Sequence, residues 1–145
     1  DIHPPNKQEL GRRLARVAHH VVYGDRTLAP SGPTARTASL AQDKVRVVFD
    51  GVTGRLVTTG ANGPIGFELC DADARHCGYA DAVLEGHEVV LSCADCVEPA
   101  SGRHYRGAAL RVRYCWADGP VCTLRDSSGA PAGPFELSLN AAEVR

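Results

Sequence analysis

Before Lys44 the one periodic segment repeats its apolar residues every three to four positions; from Lys44 onward they recur at every second position. That change of period confines the chain to one helix followed by a mostly β region. The helix is expected over residues 6–23. Leu10, Leu14, Val17, Ala18 and Val21 fall at i, i+4, i+7, i+8 and i+11, on one face. Asn6 is placed to cap it, Glu9 completes a capping-box-like pair, and Gly24 suits its end. Lys7, Arg12, Arg13, Arg16 and His20 share the remaining circumference and read as a solvated face. So short a helix is marginal alone, and its stripe needs a surface to pack on.

Residues 27–42 hold Pro30, Gly32, Pro33 and small polar side chains and read as a connection. Seven strands are expected after it, over 45–49, 56–59, 65–70, 80–84, 88–93, 109–116 and 135–139, with turns such as Asp50-Gly51 and Glu85-Gly86-His87 between them. Short strands at this spacing predict an antiparallel β-sandwich. Leu110, Val112, Tyr114 and Trp116 alternate cleanly, which places Trp116 and Tyr114 on the inward face. No internal repeat or low-complexity tract interrupts the pattern.

The six cysteines include two Cys-x6-Cys pairs, Cys70 with Cys77 and Cys115 with Cys122, each bracketing a turn-rich loop. A disulfide closing each loop fits that spacing and implies an oxidising compartment, secreted or lysosomal. Cys93 and Cys96 would bridge each other or reach elsewhere. A zinc site built on Cys93-Ala94-Asp95-Cys96 needs a second short-spaced pair, which the x6 loops supply poorly. A net charge of -1 gives no electrostatic reason to expect nucleic acid or an anionic membrane. No apolar run approaches the ~20 residues that span a bilayer. No metal or cofactor motif is present.

Several residues invite a chemical reading. His3 and Asp1 stand just ahead of the helix, an imidazole beside a carboxylate, the pairing a serine hydrolase uses for its base. Read without further context, both are solvated terminal residues. Trp116-Ala117-Asp118 offers an aromatic face beside a carboxylate, as a sugar contact would, although the alternation favours a core role for Trp116. The loop after Trp116 is the better functional candidate, since loops carry function more often than strand interiors. The basic clusters Arg75-His76 and Arg103-His104-Tyr105-Arg106 read as solvated loops that would suit a carboxylate.

Three stretches, in order along the chain, carry a family likeness. Asp1-Ile2-His3-Pro4-Pro5-Asn6-Lys7-Gln8-Glu9-Leu10-Gly11-Arg12-Arg13-Leu14-Ala15, with a helix ending in Val22-Tyr23-Gly24, resembles the last motif and last helix of the sialate O-acetylesterases, which are SGNH-type hydrolases. Arg113-Tyr114-Cys115-Trp116-Ala117-Asp118-Gly119-Pro120-Val121-Cys122 resembles their Arg-Tyr-Ala-Trp-Ala-Asp-Asn-Pro-Val-Cys segment. Ala130-Pro131-Ala132-Gly133-Pro134-Phe135 resembles their Leu-Pro-Ala-x-Pro-Phe ending.

The resemblance implies a catalytic histidine at His3. It implies an orienting carboxylate three residues before that histidine; Asp1 stands two before, so Asp1 is either that group or its neighbour. The nucleophilic serine belongs to a Gly-Asp-Ser block that does not occur here; Ser31-Gly32, Ser101-Gly102 and Ser128-Gly129 read as turns. Since the chain has no Met, Asp1 is not expected to be a translation start. The expectation is a processed C-terminal chain of a sialate O-acetylesterase. Residues 1–26 would complete the hydrolase domain, 27–43 would link, and 44–145 would form the sandwich. Its partner would be the N-terminal chain of the same precursor, which brings the serine, and Leu10, Leu14, Val17 and Val21 would face it. The substrate would be an O-acetylated sialoglycan. Esters of other acetylated glycans such as xylan, a non-catalytic glycan-binding sandwich, and a purely structural disulfide-rich domain are the alternatives.

Overall fold

A computed structural model describes residues 6–27, 29–41, 44–92 and 111–141. Helix α1 spans Lys7–Val21. The Asn6 side chain accepts the Glu9 backbone N–H at 3.0 Å, satisfying one of the first-turn donors. Glu9 in turn pairs with Arg13 one turn on, 3.0 Å away. The helix ends two residues before the expected Tyr23, and Gly24 follows with a left-handed φ of 72°. Its apolar stripe is open, with Leu14 and Val21 exposed by 61% and 69%, and no helix residue is buried.

The β region has ten strands among the described residues: β1 (Thr34–Ala41), β2 (Lys44–Asp50), β3 (Leu56–Thr58), β4 (Phe67–Cys70), β5 (Cys77–Tyr79), β6 (Asp81–Glu85), β7 (Glu88–Ser92), β8 (Arg111–Tyr114), β9 (Leu124–Asp126) and β10 (Phe135–Ala141). Eight of them are hydrogen-bonded in the order β5-β4-β8-β10-β1-β2-β7-β6, and β3 pairs with β9 apart from them. The first half of β10, from Phe135 to Ser138, runs antiparallel to β8. Its second half, from Leu139, runs parallel to β1. Thus β10 turns the corner between two four- to five-stranded portions, and the core lies between them. The mostly β fold with one leading helix agrees with the sequence reading. The all-antiparallel expectation is corrected at β1 and β10, because the final strand leaves β8 and runs alongside β1 in the same direction.

Strand β2 buries Val45, Val47 and Phe49 on one side and alternates throughout. Facing it, β4 and β8 contribute Phe67, Leu69, Val112 and Tyr114. Phe135 joins the halves, with its ring 5.8 Å from Phe49 and 6.2 Å from Phe67. Fully burying an aliphatic side chain such as Val47 contributes about 1.5–3 kcal/mol.

Strand β1 falls inside the expected linker over 27–43. Its segment, Thr-Ala-Arg-Thr-Ala-Ser-Leu-Ala, has no large alternating apolar residues, and among its described side chains only Ala38 is fully buried. What makes it a strand is backbone pairing on both flanks, to β2 and to β10. Arg36 is bulged out between Ala35 and Thr37, which further masks the period. Strands β5 and β9, three residues each, are too short to show a period. Glu85 and Glu88 stand directly opposite in the β6–β7 hairpin, a repulsive pair. Arg46 on the neighbouring strand offsets it, reaching both carboxylates at 2.9 Å.

Asp126 is the one buried charged side chain among the described residues, only 1% exposed. It accepts the backbone N–H groups of Thr53, Ser128 and Ala130 and the Ser128 hydroxyl, tying the β9 turn to the loop after β2. Burial pushes its pKa up, but the hydrogen bonds from Ser128, Thr53 and Ala130 outweigh this and hold it below the ordinary 3.8. A carboxyl depressed in the folded state stabilises the fold above its unfolded pKa, and that stability is lost as pH falls through the folded value. Asp126→Asn is therefore expected to destabilise by about 1–3 kcal/mol at pH 7, with the gap to wild type closing below about pH 4. Urea unfolding of both proteins across pH 2–7 checks this; a gap that widens on acidification contradicts it.

Candidate functional site

Both sequence-expected disulfides form, Cys70–Cys77 and Cys115–Cys122, with Cα separations of 4.1 and 5.8 Å. They are consistent with an oxidising, extracellular-type compartment. The first closes the β4–β5 hairpin loop. There Asp71 accepts the Arg75 N–H and pairs with His76 Nδ1, each at 2.8 Å. The His76 contact is the largest influence holding the Asp71 pKa below the ordinary range. Arg75-His76 is thus tied into its own loop, with His76 engaged by Asp71.

The second disulfide closes the loop after β8, and here the alternation expected from the sequence stops. Tyr114 is fully buried, as expected, but the strand ends on it. Cys115 takes a φ of 58°, which turns the chain, and Trp116 emerges half exposed, at 50%. The expectation that Trp116 packs inward is therefore corrected. A left-handed residue breaks the two-residue period, so position 116 no longer shares a face with 114. The indole instead stacks on the Arg113 guanidinium, 5.0 Å from ring centroid to carbon. Arg113 is itself anchored by Glu136 at 2.6 Å. Arg113 and then Arg111 hold the Glu136 carboxyl ionised, below its ordinary pKa, against the opposing effect of its own desolvation.

Trp116 forms one wall of an open cleft of about 350 Å³ that also includes Ile65, Gly66, Glu68, Tyr79 and Val121. Tyr79, just past the first disulfide, is exposed by 78%. Gly66, at φ 106°, is required at the floor: a Cβ there would sit 2.9 Å from the Val121 carbonyl oxygen. Each disulfide therefore pins one aromatic wall. The sequence reading missed Tyr79, Ile65 and Glu68, because strand pairing alone brings them beside Trp116. An aromatic two residues past a disulfide-closed loop, in Cys77-Gly78-Tyr79, was the available signal.

Other clefts lie beside α1. One of about 370 Å³ runs between Glu9, Arg13, Arg16 and Val17 on the helix and Pro30–Pro33 and Ser128–Pro131 on the sheet side. His19 packs its ring against Tyr23, and His20 contacts Arg26. His3 and Asp1 lie outside the described residues, as do Cys93, Cys96 and the Arg103–Arg106 cluster. Among the described residues no group of three His, Cys, Asp or Glu side chains is arranged to hold a metal. None of their helices is long and apolar enough to cross a membrane.

No protein-family model and no curated protein matches the sequence. Solved structures do. A carbohydrate acetylesterase from Xanthomonas citri superposes with a TM-score of 0.75 at 33% identity, over 94% of this chain and 29% of its own. The chain is thus similar in fold and sequence, along nearly its whole length, to under a third of a carbohydrate acetylesterase.

Proposed function

We propose that this chain is the C-terminal part of a carbohydrate O-acetylesterase. The observation that carries the reading is the 33% identity to such an enzyme over 94% of the chain. The open stripe of α1 supports it, since Leu10, Leu14, Val17 and Val21 need the surface that a hydrolase domain would supply. In this reading a serine on the rest of the protein attacks the acetyl carbonyl. His3 takes the serine proton and returns it to the departing sugar oxygen; it then activates water, which releases acetate from the acyl-enzyme. Asp1 orients the imidazole or neighbours the group that does. Backbone and side-chain donors of the hydrolase domain hold the oxyanion. The two disulfides support a secreted or lysosomal location.

The sialic acid substrate rests on the sequence resemblance to sialate O-acetylesterases. A neutral acetylated glycan such as acetylxylan is the second reading, favoured by a cleft at Trp116 whose walls include Glu68 and no basic side chain. Acetate release by the intact protein from an O-acetyl sialoside, acetylxylan and 4-nitrophenyl acetate decides between them; failure on all three removes the esterase reading. A companion test addresses the helix. Leu14→Asp in the intact protein is expected to destabilise by at least about 2 kcal/mol, as burying a charge against an apolar surface would. A solvent-facing position would change by less than about 0.5 kcal/mol.

A further inference from the structure

We infer that the Trp116–Tyr79 cleft contacts carbohydrate directly, and that the ligand is the pyranose ring of a neutral glycan. Exposed Trp and Tyr rings are costly to leave in water, and here two sit on one concave surface with Ile65 and Val121, which are 44% and 68% exposed. At about 350 Å³ the cleft lies in the range of small-molecule sites. Aromatic faces carry negative potential and suit the polarised C–H face of a sugar ring. Glu68 supplies an acceptor for hydroxyl groups at the same cleft.

The support beneath the indole points the same way. Arg113 pairs with Glu136, which Arg111 shares, stacks on the Trp116 ring and stands opposite Glu68 across the β4–β8 pairing, so the two arginines are matched by two carboxylates. With no basic side chain in the lining and no unmatched cation beside it, an anionic sugar gains no ion pair there. Both walls are held by disulfides, Cys115–Cys122 behind Trp116 and Cys70–Cys77 behind Tyr79. Such preorganisation lowers the ordering cost of binding a flexible oligosaccharide.

The proposal takes only its ligand class from the esterase reading, and its test does not need esterase activity. The intact protein would be run by affinity electrophoresis in gels containing deacetylated xylan, deacetylated glucomannan or, as the anionic probe, polysialic acid. Retardation is expected with a neutral glycan and not with polysialic acid. Trp116→Ala should weaken that binding by on the order of tenfold, and Trp116→Phe should retain most of it. The Tm should be unchanged by Trp116→Ala. The inference is overturned if no neutral glycan retards the wild type, or if Trp116→Ala binds like wild type. It is equally overturned if that variant loses several degrees of Tm, which would make the cleft an internal contact with the rest of the protein. Binding without acetate release would leave this inference standing while removing the esterase reading.

Discussion

His3→Ala in the intact protein is expected to lower kcat/KM for acetyl esters by at least about 10⁴-fold while leaving expression and assembly unchanged. An imidazole that takes the serine proton in one half-reaction and activates water in the other serves both acylation and deacylation, so both steps should slow. Wild-type activity should fall on the acid side as the base protonates. The variant should lack that limb. Asp1→Asn separates the two possibilities for the carboxylate. If Asp1 orients the ring, the loss approaches about 10⁴-fold; if it is only a neighbour, activity stays within about tenfold. Steady-state and pre-steady-state rates on 4-nitrophenyl acetate read all of this. Retention by His3→Ala of more than about a tenth of wild-type activity would remove His3 from the chemistry.

Tyr114→Ala is expected to produce the largest stability loss among the described side chains, about 3–5 kcal/mol. The residue is fully buried on β8, between β4 and β10. Its ring lies 4.6 Å from Phe67 and 5.8 Å from Phe135, and its hydroxyl accepts the Leu124 N–H at 2.9 Å. It therefore couples the large sheet to the small β3–β9 pair. Burial raises the phenol pKa, so the hydroxyl stays neutral. Tyr114→Phe isolates the polar part: it keeps the packing but leaves the Leu124 N–H unpaired, at about 1–3 kcal/mol. Urea unfolding with an unchanged slope measures both. A Phe variant as unstable as the Ala variant would mean that the hydrogen bond, and not the ring, carries the site.

Local chemistry that repeats within a few residues could be read without coordinates. Asn6 caps the helix because the donor it satisfies, the Glu9 N–H, is three residues away. Val45, Val47 and Phe49 alternate because a strand puts successive side chains on opposite faces. The two x6 cysteine loops close because so short a loop brings its ends together. Strand β1 was not readable: small side chains erase its period, and it exists through partners contributed from β2 and from the far end of the chain.

Trp116 shows the same limit at the candidate site. Its alternation with Tyr114 is genuine in sequence, but one left-handed residue at Cys115 turns it outward. The proposed catalytic histidine and the aromatic cleft thus stand on different ground. His3 comes from a motif, a contiguous string whose chemistry is carried by residue identity. The cleft comes from strand pairing that sets Tyr79, Glu68 and Trp116 side by side from separate elements. Residue order alone determined the helix, the alternating strands and the loop cross-links, since each depends on neighbours along the chain. Which strand joins the two portions of the sheet, and which aromatic rings meet in water, was decided by packing, because those contacts hang on register between segments far apart in sequence.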